Sequence, residues 1–324
     1  MTTMDRSVTA HRSSPDLAAS RRTDRLPGAA PWRPDALPGP VPAPLVLLGS
    51  ACPATNAVFH ALAAVFDDVT VVLEERMSRR DLAVRRAKKL GLVTVAGQLL
   101  FSALAVPLMR RRDARRIAAI VEDEHLDLSP IDGPVLHIPS VNSPEGRAVL
   151  ERLDPTVVVV SGTRIIGKKT LECTGATFLN LHAGVAPQYR GVHGGYWALA
   201  EGRPELVGST VHIVDHGIDT GPVLAQGTFA VTPTDSFVTY PYLHLATGIP
   251  MLIDAVKPLL AGDAPEVVTP LSSEPSRLRS HPTLWGHLAR WLSSPITDGR
   301  EPDTRRPSMT CSAPDLHHLR IRDR

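Results

Sequence analysis

Apolar positions fall into short uninterrupted blocks at Pro44–Ser50, Val69–Leu73, Val135–Pro139 and Thr156–Val160, the last with four consecutive valines. Runs of this length that end in small or polar residues read as strands buried on both faces, as in a parallel sheet. Helical stretches at residues 57–66 and 144–153 lie between them, so the chain opens as a βαβ unit whose second strand closes on Glu74 and Glu75. Thr177–His182 instead alternates, and its last polar residues, Asn180 and His182, share one face because side chains repeat every second residue along a strand. The pattern predicts an α/β fold with a Rossmann-like, mostly parallel sheet flanked by helices. In such sheets ligands bind outside the carboxyl ends of the strands.

Residues 92–109 contain no charge and are flanked by Lys88-Lys89 and Arg110-Arg111-Arg112. Length alone allows a membrane span. Thr94, Gly97, Gln98 and Pro107, with basic residues on both sides, favour a buried hairpin or an apolar helical insertion at about 84–125. Membrane contact of any kind, surface attachment included, is the disfavoured reading.

Residues 1–44 and 263–324 each hold 8 of the 30 prolines and read as a disordered extension and a Pro-rich tail around a catalytic domain at 45–262. A transit-type peptide is opposed by four Asp and eight Pro in the first segment. Within the tail, Leu284, Trp285, Leu288, Trp291 and Leu292 have the spacing of a short amphipathic helix at 283–292, best read as docked on the domain.

Residues 45–262 sum to a charge of −1, which argues against a broad nucleic-acid face. Three cysteines without a Cys-x-x-Cys pair suit a reducing, cytoplasmic setting; Cys52 and Cys173 read as small buried hydrophobes. His317 and His318 lack the spacing of a metal site, and no metal is expected. Arg-rich, Ala- and Pro-loaded composition suggests a GC-rich, bacterial gene. The loop after the first strand has only Gly49 and carries Pro53, so neither a dinucleotide fingerprint nor a phosphate loop is present.

Chemistry concentrates in residues 178–226. Asn180 and His182 pair an amide donor with an imidazole, a combination suited to a carbonyl that becomes tetrahedral. Asp219, in the turn Gly217–Gly221, is a carboxylate able to hold the imidazole and raise its pKa. His212, on the way to that turn, reads as a packed residue; His193, Tyr196 and Trp197 suit either core or an acceptor pocket.

Asn180-x-His182, Pro187–Gly191 and Gly208–His212 leading to Asp219–Pro222 together resemble the 10-formyltetrahydrofolate-dependent formyltransferases, the family of glycinamide ribonucleotide, methionyl-tRNA and amino-sugar formyltransferases. The resemblance is close over 156–226 and loose over 45 to about 260. It implies the formyltransferase fold, 10-formyltetrahydrofolate as donor and co-substrate, and Asn180, His182 and Asp219 as the catalytic set, with His182 protonated. It also implies folate contacts from the backbone of Arg164, Ile165 and Ile166 and from the loop His216, Gly217 and Ile218. Acceptor contacts fall at Gly184, Tyr189, Arg190, His193 and Trp197. Ala183-Gly184 and Val185-Ala186 depart from the family's usual loop, so the acceptor is not carried over; a small amine of a specialised metabolite (amino acid, amino sugar or peptide-like amine) is expected. The partners expected are thus folate and that amine, without nucleic acid or membrane. Folate hydrolysis, methionyl-tRNA formylation and a non-catalytic folate-binding role are the alternatives.

Overall fold

The computed structural model describes residues 43–293; the expectations for residues 1–42 and 294–324, with Cys311, His317 and His318, lie outside them. The chain runs β1 (Leu45–Gly49), α1 (Pro53–Ala63), β2 (Val69–Glu74), α2 (Arg79–Leu90), α3 (Leu92–Leu100), a π-turn (Phe101–Ala105), α4 (Val106–Arg112) and α5 (Ala114–Asp123). It continues through β3 (Val135–Ile138), α6 (Pro144–Leu153), β4 (Val157–Ser161), α7 (Lys168–Leu171), β5 (Thr177–His182), β6 (Tyr189–Gly191), α8 (Gly194–Ala200), β7 (Gly208–Ile213) and β8 (Val223–Thr228). The last elements are α9 (Tyr240–Leu260), β9 (Arg277–Arg279) and α10 (Leu284–Ser293).

Seven strands form one sheet in the order β3-β2-β1-β4-β5-β7-β8, parallel from β3 to β5 and antiparallel beyond it. The strands sort their side chains by parity. Leu45, Leu47, Val157 and Val159 face α1 and α9, whereas Val46, Leu48, Val158 and Val160 face α6, and all eight are buried. Burial on both faces is why these strands are continuously apolar. The chain order reverses between β1 and β4, which places the crevice for a ligand at their carboxyl ends.

Two boundaries and the burial of two cysteines differ from expectation. Helix α1 begins four residues early, because Pro53 occupies its first turn, where a missing N–H costs nothing. Cys52 and Cys173 are half-buried rather than buried. The tail does not leave the domain at 263: β9 pairs with β6, and α10 packs on α3, where Trp285 fills the space above Gly97.

The apolar stretch is helical, as one of the two expected forms, but it is not buried. From Leu92 to Arg112 only 22% of the apolar window lies inside the protein, against 44% for the core helix α9. Leu92, Val93, Leu104 and Leu108 are all more than half exposed, each forgoing about 1.5–3 kcal/mol of possible burial.

Candidate functional site

β5 ends at the crevice, and β7 runs antiparallel to it so that His212 stands opposite Asn180 and Thr210 opposite His182. The loop after β7 then returns Asp219. Asp215 shapes that loop by accepting from the Gly217 N–H at 3.0 Å and the Thr220 hydroxyl at 2.8 Å. A side chain at Gly217 would collide with Thr220. Asp219 itself sits at φ 51°, the left-handed region that Asp tolerates better than most residues.

Asp219 is the hub. Its Oδ2 accepts from the Gly191 N–H at 2.7 Å and its Oδ1 from the Asn180 amide at 3.3 Å. His182 Nδ1 and His212 Nε2 each lie 3.6 Å from one of its oxygens. Burial works to raise the Asp219 carboxyl, but the His212 and His182 rings and the Gly191 N–H outweigh it and hold it below its ordinary value.

His182 is 5% exposed, and its Nε2 lies 2.7 Å from the Tyr189 carbonyl. A carbonyl can only accept, so Nε2 carries the hydrogen. Burial pushes the His182 pKa below the ordinary histidine value, even though Asp219 and the Tyr189 carbonyl pull it up. Burial thus works against the protonated His182 expected from the sequence, while Asp219 and the Tyr189 carbonyl work for it. Gly184 belongs to this arrangement, since a Cβ there would come within 2.7 Å of both His182 Nε2 and the Tyr189 oxygen.

His212 was read from sequence as a packed residue, yet it joins the set. Its Nδ1 donates to the Ile213 carbonyl at 2.9 Å, which leaves Nε2 to accept from the Asn180 amide at 3.1 Å. The signal available in the sequence was an imidazole inside the otherwise apolar and small strand Gly208–Ile213. Among the described residues no group of three or more His, Cys, Asp or Glu is placed to hold a metal ion.

The expected folate segment leaves the sheet beside Asn180, because Val160 and Asn180 are partners across β4 and β5. Two residues missed in the sequence fix it. Buried Glu74 accepts from the Arg164 N–H at 2.6 Å and the Val141 N–H at 3.2 Å, and Asn142 donates to the Ile165 carbonyl at 2.9 Å. Ile166 is 6% exposed, and among the described residues neither its N–H nor its carbonyl is paired. Buried backbone groups of this kind need a partner. In the second segment His216 and Gly217 are exposed, and the half-buried Ile218 accepts from Arg190 Nη1 at 3.3 Å.

Three of the expected acceptor contacts are corrected. The Tyr189 ring is fully buried among Val185, Ala198, Leu206 and Val207, so only its carbonyl reaches the site. His193 points to His281, with Nε2 and Nδ1 2.9 Å apart, and burial pushes its pKa down to about 3. Trp197 donates to the Ser280 carbonyl at 3.0 Å and lies under the Arg290 guanidinium at 4.8 Å. Both side chains are taken up by the segment after 277 that sequence reasoning had left as a tail. Two grooves, one of about 240 Å³ beside Gln188, Arg203 and Glu274 and one of about 530 Å³ beside Leu104, Leu108 and Leu284, include none of Asn180, His182, His212 and Asp219.

Residues 110–253 match the family model described as formyl transferase. A methionyl-tRNA formyltransferase from Thermodesulfovibrio yellowstonii is 32% identical over 122 residues, covering 37% of this chain and 38% of that protein. The chain spans only 38 to 53% of the length of the curated relatives it matches. Among solved structures, a sugar N-formyltransferase from Shewanella sp FDAARGOS_354 aligns at TM-score 0.45 and 14% identity over 72% of this chain and 75% of that one. Glycinamide ribonucleotide transformylase 1 from Symbiobacterium toebii aligns at TM-score 0.45 and 17% identity over 67% and 87%. At those scores the structural likeness bears on neither substrate nor site. Asn180, His182, His212 and Asp219 all fall inside the segment 110–253, which is similar to the formyl transferase family.

Proposed function

We propose that the chain transfers the formyl group of 10-formyltetrahydrofolate to the amine of a small molecule, a specialised metabolite such as an amino acid, amino sugar or peptide-like amine. The observation that carries this reading is the convergence of an amide donor, an imidazole and a carboxylate at the end of β5, within a segment similar to the formyl transferase family. The residues present fit the donor. Unpaired backbone groups at Ile166 suit the alternating polar edge of a pterin, and Glu74 and Asn142 hold that segment still. When bound, the folate supplies an activated formyl carbon.

Asn180 donates its amide to the formyl oxygen as negative charge gathers there; its 3.3 Å bond to Asp219 is the weaker of its two and the hydrogen most readily redirected. His182 takes the proton of the attacking amine at Nδ1. The imidazolium so formed would be held between the Tyr189 carbonyl and the Asp219 carboxylate, and would give the proton to the folate nitrogen as the bond between that nitrogen and the formyl carbon breaks. Asp219, kept ionised by its neighbours, stabilises that transient charge.

Purified protein incubated with 10-formyltetrahydrofolate and a panel of amino sugars, amino acids, peptide amines and methionyl-tRNA, with products read by mass spectrometry, tests the reading. A formylated small amine is expected. Folate consumption at the same rate without any amine would show a hydrolase, and formylation of methionyl-tRNA alone would contradict the small acceptor.

A further inference from the structure

The helical arm α2–α5 carries a strong charge asymmetry. From Arg79 to Asp123 there are eleven Lys or Arg against Asp81, Asp113, Glu122 and Asp123, a net of +7 in a chain whose total is +2. The −1 sum of residues 45–262 therefore conceals a basic arm and an acidic remainder. On the same arm Leu92, Val93, Leu99, Leu100, Leu104 and Leu108 are 44 to 78% exposed. Lys88 and Lys89 stand at one end of this apolar stripe, and Arg110, Arg111 and Arg112 at the other.

The inner side of the arm is committed to the protein. The Gln98 amide donates to the His281 carbonyl at 2.9 Å, and the Phe101 ring packs edge-on against Phe237 and His287 with centroids 4.9 and 5.1 Å apart. Insertion across a membrane would strip those contacts. An outward face of leucines flanked by cations is instead the pattern of a helix that lies in the plane of a membrane surface.

We propose that this arm docks on an anionic lipid bilayer, its leucines entering the boundary between headgroups and acyl chains and its Lys and Arg residues meeting lipid phosphates. Charge complementarity selects this occupant. Two copies of the chain meeting through the same arm would bring +7 against +7. A nucleic acid would match the charge but not the leucines: the arm's aromatic ring, Phe101, is 1% exposed, so the arm itself turns no stacking platform outward. The groove of about 530 Å³ between Leu104, Pro107, Leu108, Arg111 and Leu284 extends the apolar surface onto α10, where Leu288 and Leu292 are also exposed. The docking does not rest on the formyl-transfer reading.

Flotation of the full chain with vesicles of phosphatidylcholine, alone or mixed with phosphatidylglycerol, tests it. Binding is expected only to the mixed vesicles and should weaken as salt is raised. Leu104→Asp with Leu108→Asp should weaken it about tenfold or more, with thermal unfolding unchanged because both positions are exposed. Lys88→Glu with Lys89→Glu removes charge without touching the stripe, should also weaken binding, and decides the matter if the first pair fails to fold. Absence of binding to mixed vesicles, or binding that survives both pairs of substitutions, overturns the proposal. So does capture of a short RNA duplex in their place.

Discussion

Asn180 and His212 face each other across β5 and β7, and the Asn180 amide donates to His212 Nε2 at 3.1 Å. The imidazole thus orients the amide whose hydrogens serve the reacting oxygen. His212→Phe keeps the ring volume and removes the acceptor. The expected outcome is a fall in kcat of about ten- to a hundredfold, smaller than loss of an oxyanion donor itself, with KM for the folate little changed. Steady-state kinetics with the folded variant check this, and an unchanged kcat would reduce His212 to a packed residue.

That relationship was not legible in the sequence, although much around it was. Strand β5 and helix α6 form where the period predicted, and Asn180 and His182 share a face because residues two apart must. His212 lies 32 positions from Asn180, and its place is set by the register of an antiparallel pair, which spacing does not encode. Tyr189 failed for a related reason. Its side-chain direction follows from β6 pairing with β9 some 88 residues later, in a segment whose prolines read as a tail. Hydropathy likewise found the apolar stretch at 92–109 but not which side of it the protein covers.

The protonation state of His182 gives a pH signature. Its folded pKa lies below the ordinary value of about 6.5, chiefly because it is buried. A neutral Nδ1 acting as base is then fully available at neutral pH, and kcat/KM should fall only as pH drops through that lowered pKa. An acceptor whose amine titrates well outside this range isolates the effect. A decline on the alkaline side in its place would restore the protonated-acid role.

Glu74 supports the folate segment without touching the catalytic set. Its carboxylate caps the N–H groups of Val141 and Arg164, and Glu74→Ala leaves the buried Val141 donor unpaired at a cost of about 1–3 kcal/mol, with the part-buried Arg164 donor adding less. Urea unfolding should show that loss. In the same variant KM for 10-formyltetrahydrofolate should rise more than kcat falls; equal losses in both would mean that the segment 164–166 does not hold the donor.

The central claim is that Asn180, His182 and Asp219 carry out formyl transfer, and its most direct test is single-turnover transfer of labelled formyl from 10-formyltetrahydrofolate to the accepted amine, comparing the wild type with Asn180→Ala. The wild type should complete transfer, and the variant, folded to the same thermal midpoint, should be slower by about a hundred- to a thousandfold. Equal rates in the two proteins would contradict the account.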